Sequence, residues 1–147
     1  MDGKSVIDAV WILVLIITAW KDGHEKRIPD MLTIAIVLCA FFRLLFLTKE
    51  EVLLCFAGMG VSLLLFFVIL FCAPGAFGGG DIKLSAGNGL YLGMENWLRS
   101  FAVAVFAAGI FILYQVISGK ETKRQEIAFG PFLCVGAIVI KTLEGIL

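Results

Sequence analysis

The sequence predicts an all-α integral membrane protein: a polytopic bundle of about six transmembrane helices with a glycine-rich loop before the fourth. Three observations carry that prediction. Of 147 residues, 61% are hydrophobic and 16% are charged, where soluble chains average roughly 25% charged. The mean hydropathy is +1.01. The charges are also segregated: Val52 to Gly80 is 29 residues without one, and Ser100 to Gly119 is another 20. A bilayer span needs about 20 mostly apolar helical residues. A soluble chain of this size could not bury so much apolar surface in one core. Disorder is excluded by the same arithmetic, because disordered chains are polar and charged. With 12 basic and 12 acidic residues the net charge is zero. There is no basic excess to hold phosphates, so no nucleic-acid partner is expected. The partner that the composition demands is the lipid bilayer. The length suits a single domain over residues 1–147.

The first helix is expected over about Val6–Lys21. Its leading Met1-Asp2-Gly3-Lys4 has no net positive charge and no A-x-A site follows, so it does not read as a cleavable signal. The second helix is expected over Pro29–Leu47, with Pro29 at the first helical position, where a missing N–H costs nothing. The third follows the polar connection Thr48-Lys49-Glu50-Glu51 and runs over Val52–Cys72. The fourth is short, Asp81–Gly93; the fifth is Trp97–Ser118 and the sixth Ile127–Ile146. Gly58-x-x-x-Ser62, Gly89-x-x-x-Gly93 and Ala104-x-x-x-Ala108 are small-x-x-x-small patterns that permit close backbone approach between helices in lipid. The four cysteines, Cys39, Cys55, Cys72 and Cys134, are isolated in apolar runs with no C-x-x-C pair. They read as packing residues, and neither a metal nor another cofactor is expected.

Alternate connections lie on one face of the membrane. The first, third and fifth connections place Lys21, Lys26, Arg27, Lys83, Lys120, Lys123 and Arg124 together. The opposite face holds Lys4, Lys49, Arg99 and Lys141, with Arg43 close enough to snorkel there. By the positive-inside rule the first group faces the cytoplasm. A cell-membrane location with the odd-numbered connections inside is the expectation.

A carboxylate at or in a membrane is expensive and needs a reason. Asp22 stands at the end of the first helix, and Asp81 follows Gly78-Gly79-Gly80 to open the fourth. Two full spans separate them, so both return to one face and to one depth. The bare backbone beside Asp81 would let an extended peptide approach. The plainer reading is a glycine turn with Asp81 as the N-cap of the fourth helix. Paired carboxylates resist double ionisation and share a proton. The ionised member can then take a proton from water while the protonated one polarises a carbonyl. Lys83 is able to bind a peptide carbonyl, to lower a carboxylate pKa, or to snorkel. His24, Glu25 and Asp30 read as loop and helix-start charges.

Three blocks now resemble a known family. Asp22-Gly23-His24-Glu25-Lys26-Arg27-Ile28-Pro29-Asp30, Gly78-Gly79-Gly80-Asp81-Ile82-Lys83-Leu84 and Phe129-Gly130-Pro131-Phe132 are similar, in order, to blocks of the prepilin peptidases, the type IV leader peptidases of bacteria. Archaeal preflagellin peptidases are their relatives. The resemblance implies a membrane aspartic endopeptidase that removes a short basic leader from prepilin or pseudopilin precursors at the cytoplasmic face. Asp22 and Asp81 would be its catalytic pair. Gly78, Gly79, Gly80, Lys83, Pro29, Gly130 and Pro131 would shape the loops or meet substrate. Many bacterial members carry an N-terminal methylating part with a four-cysteine zinc motif. No such cysteines occur here, and the chain resembles the short, peptidase-only branch. A presenilin-type intramembrane protease is the alternative enzyme, but those place Tyr before the first aspartate, where Lys21 stands. A non-catalytic assembly factor of a pilus or secretion system is the alternative without chemistry.

Overall fold

In the computed structural model, which describes residues 2–119 and 128–146, the chain forms six helices in the expected order. They are α1 (Gly3–Glu25), α2 (Asp30–Leu44), α3 (Lys49–Cys72), α4 (Gly79–Leu92), α5 (Met94–Ile117) and α6 (Gly130–Ile146). No strand occurs among the described residues. Helices α1, α3 and α5 are long and apolar enough to cross a membrane. The protein is an all-α membrane protein. At 1.5 Å per residue the 14 residues of α4 reach only about 21 Å, short of a hydrocarbon core of about 30 Å. The cationic residues Lys120, Lys123 and Arg124, and Ile127 at the expected start of α6, lie outside the described residues.

Several boundaries differ from expectation for identifiable reasons. Helix α1 continues one turn past Lys21, through the charged segment expected to be a connection. It stops at Lys26, whose left-handed backbone (φ 51°) turns its N–H onto the Asp22 carbonyl at 2.9 Å. Pro29 is the N-cap of α2 and not its first helical residue, with extended ψ of 135°. The polar Thr48–Glu51 segment is the beginning of α3. Thr48 and Glu51 form a capping box, in which the Thr48 N–H donates to Glu51 Oε2 at 2.8 Å and the Glu51 N–H donates to Thr48 Oγ1 at 3.4 Å. Because that cap starts α3 at Lys49, α2 ends at Leu44, three residues before its expected end.

The helices close a ring in the order α1, α2, α4, α3, α5, α6, and α4 also leans inward onto α5 and α6. Every residue from Gly87 to Leu92 is buried. Large apolar side chains cover the outside, among them Phe71, Phe106, Ile117 and Leu45. The interior holds the polar Thr18, Asp22, Ser62, Ser85, Asn88 and Ser100. That inversion of the soluble pattern suits lipid as the solvent. Among the small-residue patterns, Gly58 and Gly89 meet each other: a methyl on Gly58 would lie 2.5 Å from the Gly89 carbonyl oxygen, and one on Gly89 2.6 Å from that of Gly58. The absence of both side chains lets α3 and α4 pack backbone to backbone.

Candidate active site

One end of the bundle gathers the two aspartates. Asp22 lies in the last turn of α1, on a buried stripe with Trp11, Leu15 and Thr18. That 4-3-4 spacing keeps one helix face inward. Asp81 lies in the first turn of α4. Gly78 is the N-cap and Gly79 and Gly80 are the first two helical residues, so Asp81 is the third residue of the helix and not its cap. Gly79 and Gly80, expected in the loop, are therefore helical.

Asp22 and Asp81 line one cavity of about 580 Å³, together with Ile28, Pro29 and Gly78–Gly80. Glu25, Lys26, Arg27 and Asp30 stand around its rim. Asp22 is buried, 5% exposed, and its Oδ2 has no hydrogen-bond partner. An unpaired buried carboxylate oxygen is costly, and this one is packed against Gly130. Burial pushes the Asp81 carboxyl up to about 6; the Asp22 charge adds to that rise, and the Gly78 backbone N–H opposes it.

Of the other expected site residues, Gly130 has the most direct contact. It opens α6, and a methyl on it would collide with Asp22 Oδ2. The N-terminal end of α6, with its positive dipole, is thereby held against the Asp22 carboxylate. Pro131 is the second residue of α6, where a missing N–H is tolerated. Lys83 does not line the cavity. Its Nζ is 2.9 Å from Asp30 Oδ1, joining α4 to the start of α2, with the two side chains 59% and 74% exposed. An ion pair so exposed is worth about 0–1 kcal/mol. His24 is exposed, its Nδ1 3.0 Å from the Trp20 carbonyl oxygen.

Residues to which the sequence reading assigned no role complete the surroundings. Ile28 packs between two glycines: its Cβ would lie 3.1 Å from a methyl on Gly80, and its Cδ1 3.2 Å from one on Gly130. An apolar groove of about 670 Å³ runs alongside, lined by Ile69, Phe77, Phe101, Val105, Ile112 and Phe129. The Phe77 and Phe129 rings stand 4.9 Å apart. Each immediately precedes a glycine of the site, Gly78 or Gly130. Their positions beside the glycine blocks were the available signal. Among the described residues, no three of the His, Cys, Asp and Glu side chains converge as a metal site requires.

A sequence profile described as the type IV leader peptidase family matches residues 9–113, which include both aspartates. Two curated proteins are similar over most of the chain. The Prepilin leader peptidase/N-methyltransferase of Bacillus subtilis (strain 168) is 30% identical over 130 residues, covering 88% of this chain and 52% of that protein. The protein of the same name from Legionella pneumophila is 31% identical over 138 residues, covering 89% of this chain and 47% of its own length. The chain spans about half the length of these curated relatives. No solved structure matches it significantly.

Proposed function

The chain belongs to the type IV leader peptidase family, and on that footing we propose that it is a membrane aspartic endopeptidase acting on prepilin-like or pseudopilin precursors. It removes a short basic leader at the cytoplasmic face. The observation that carries this reading is the single cavity lined by both Asp22 and Asp81. The ionised carboxylate takes a proton from water, and the resulting oxygen attacks the scissile carbonyl carbon. The protonated carboxyl donates to the carbonyl oxygen as charge develops there. Collapse of the tetrahedral intermediate breaks the C–N bond, and a proton passes to the leaving nitrogen.

The surroundings fit such a substrate. The rim carries Glu25 and Asp30 beside Lys26 and Arg27; Glu25, which Lys83 does not engage, can meet a basic leader. The groove beside Phe77 and Phe129 supplies an apolar wall for the stretch that follows it.

The test is cleavage of a prepilin from the same genome in membranes, read as a mass shift. Wild type is expected to remove the leader. Asp22→Asn and Asp81→Asn are each expected to lose on the order of 10³-fold or more in rate, the scale of acid–base catalysis. Full activity in both variants would defeat the reading.

A further inference from the structure

A second polar cluster occupies the end of the bundle away from the aspartate cavity. The Tyr91 hydroxyl donates to Asp8 Oδ1. Lys141 Nζ is 3.5 Å from Asp8 Oδ2 and 3.1 Å from Glu144 Oε2. Arg43 donates from Nη1 to the Tyr91 carbonyl, and its guanidinium carbon stands 4.7 Å from the centre of the Tyr91 ring. Trp11 stacks on Tyr91 at 4.1 Å, the rings 5° from parallel. Lys141 is only 13% exposed and Asp8 29%, so these are not freely solvated charges. Arg43 is tied to Tyr91 at this end. Such a cluster is expensive within an apolar bundle and marks a role.

The role follows from which helices it joins. Helix α1 carries Asp22, α4 carries Asp81, and α6 carries the Gly130 that abuts Asp22. The same three helices are tied at their other ends through Asp8, Tyr91 and Lys141. Asp8 and Asp22 are about 21 Å apart along α1, and Tyr91 and Asp81 about 15 Å apart along α4. At the aspartate end a cavity stands between the helices, and no side-chain hydrogen bond joins α1 to α4 there among the described residues. On an arm of about 21 Å, a tilt of about 3° moves a carboxylate by about 1 Å. A misplacement of about 1 Å can cost on the order of 10²-fold in rate.

We propose that Asp8, Tyr91 and Lys141 are positioning residues, a clamp that sets the angle between α1 and α4 and so the separation of Asp22 from Asp81. They touch no reacting atom. The effect on rate rests on the peptidase reading; the effect on geometry does not.

Tyr91→Phe is the sharpest variant, because it removes one hydroxyl and keeps the ring against Trp11 and Arg43. With a prepilin precursor as substrate, its kcat is expected to fall about 10-fold or more with KM within about twofold, at a temperature where melting shows it folded. Ile36→Val thins the core between α2 and α4 without touching a hydrogen bond or ion pair of the clamp; it is expected to lower the melting temperature and keep kcat. A Tyr91→Phe kcat equal to wild type overturns the proposal. Should Tyr91→Phe not fold, Lys141→Met, which frees α6 from Asp8, carries the same expectation and the same refutation. A second arm needs no catalysis. Spin labels at Glu25→Cys and Lys83→Cys report the gap between the helix ends. Only Cys72→Ser is needed beforehand, since the other three native thiols are buried. Tyr91→Phe is expected to shift that distance by about 1 Å or more or to broaden it, and an identical distribution overturns the clamp. Failure of wild type to cleave would remove the peptidase reading, and the distance arm would still decide the clamp.

Discussion

The Asp22 carboxylate fills the space that a side chain on Gly130 would need, although 107 residues lie between them. Gly130→Ala therefore pits a methyl group against Oδ2. The obstructing atom is the tip of a side chain, so the backbone can stay where it is while the carboxylate swings aside. The expected outcome is a loss of about 10²-fold in kcat with the fold kept. Kinetics paired with circular dichroism and melting would check it. Retained kcat would show that Gly130 does not govern where Asp22 points.

Asp81 makes stability depend on pH. Its carboxyl is raised from the ordinary 3.8 to about 6 in the folded protein. The folded state thus binds this proton more tightly than the unfolded state, and stability falls as the pH rises from about 4 to about 6. Above that window the cost persists in full. Asp81→Asn removes it. The variant is expected to melt above wild type at about pH 7.5 and to converge with it as the pH falls to about 4. Melting curves across that range decide the matter, and a variant less stable at neutral pH would contradict it. The same titration predicts an acidic limb near pH 6 in the wild-type cleavage rate, belonging to the aspartate pair as a unit.

The contact between Gly58 and Gly89 should be far less forgiving than that at Gly130. Here each added methyl meets backbone, at 2.5 Å and 2.6 Å. Backbone in two packed helices cannot swing aside, so α3 and α4 must separate. Gly89→Ala is expected to cost about 1–3 kcal/mol, the usual range for overpacking. Reversible unfolding in detergent would measure it, with Gly60→Ala as the control because a methyl there meets nothing. Equal stability of the two variants would count against backbone contact as the basis of this interface.

Much of this architecture was legible because a membrane chain has few charges to explain. Asp22 and Asp81 stood out against apolar runs, and the even number of spans between them brought them to one face. Gly58 and Gly89 were visible as small-residue patterns, although the pattern marks a face and does not name its partner. The capping box of Thr48 and Glu51 was also present in the residues, but a polar run reads as a loop when the apolar stretch beyond it is already long enough to span. Two features had no local signature. The last turn of α1 is charged like a connection and is closed by the backbone of Lys26, which no composition reveals. The cluster of Asp8, Tyr91 and Lys141 joins residues 83 and 133 positions apart, and each alone looks like an ordinary residue near a helix end. Such pairings follow from how the ring closes.

The closing of that ring on α6 has a consequence for biosynthesis. Both aspartates leave the ribosome well before Gly130 is made, so a nascent chain can hold its two carboxylates in the bilayer without the wall that packs against Asp22. Only when α6 docks on α1 and α5 does Asp22 reach its finished surroundings. A chain interrupted between α5 and α6 would carry both acids and lack the wall that packs against Asp22.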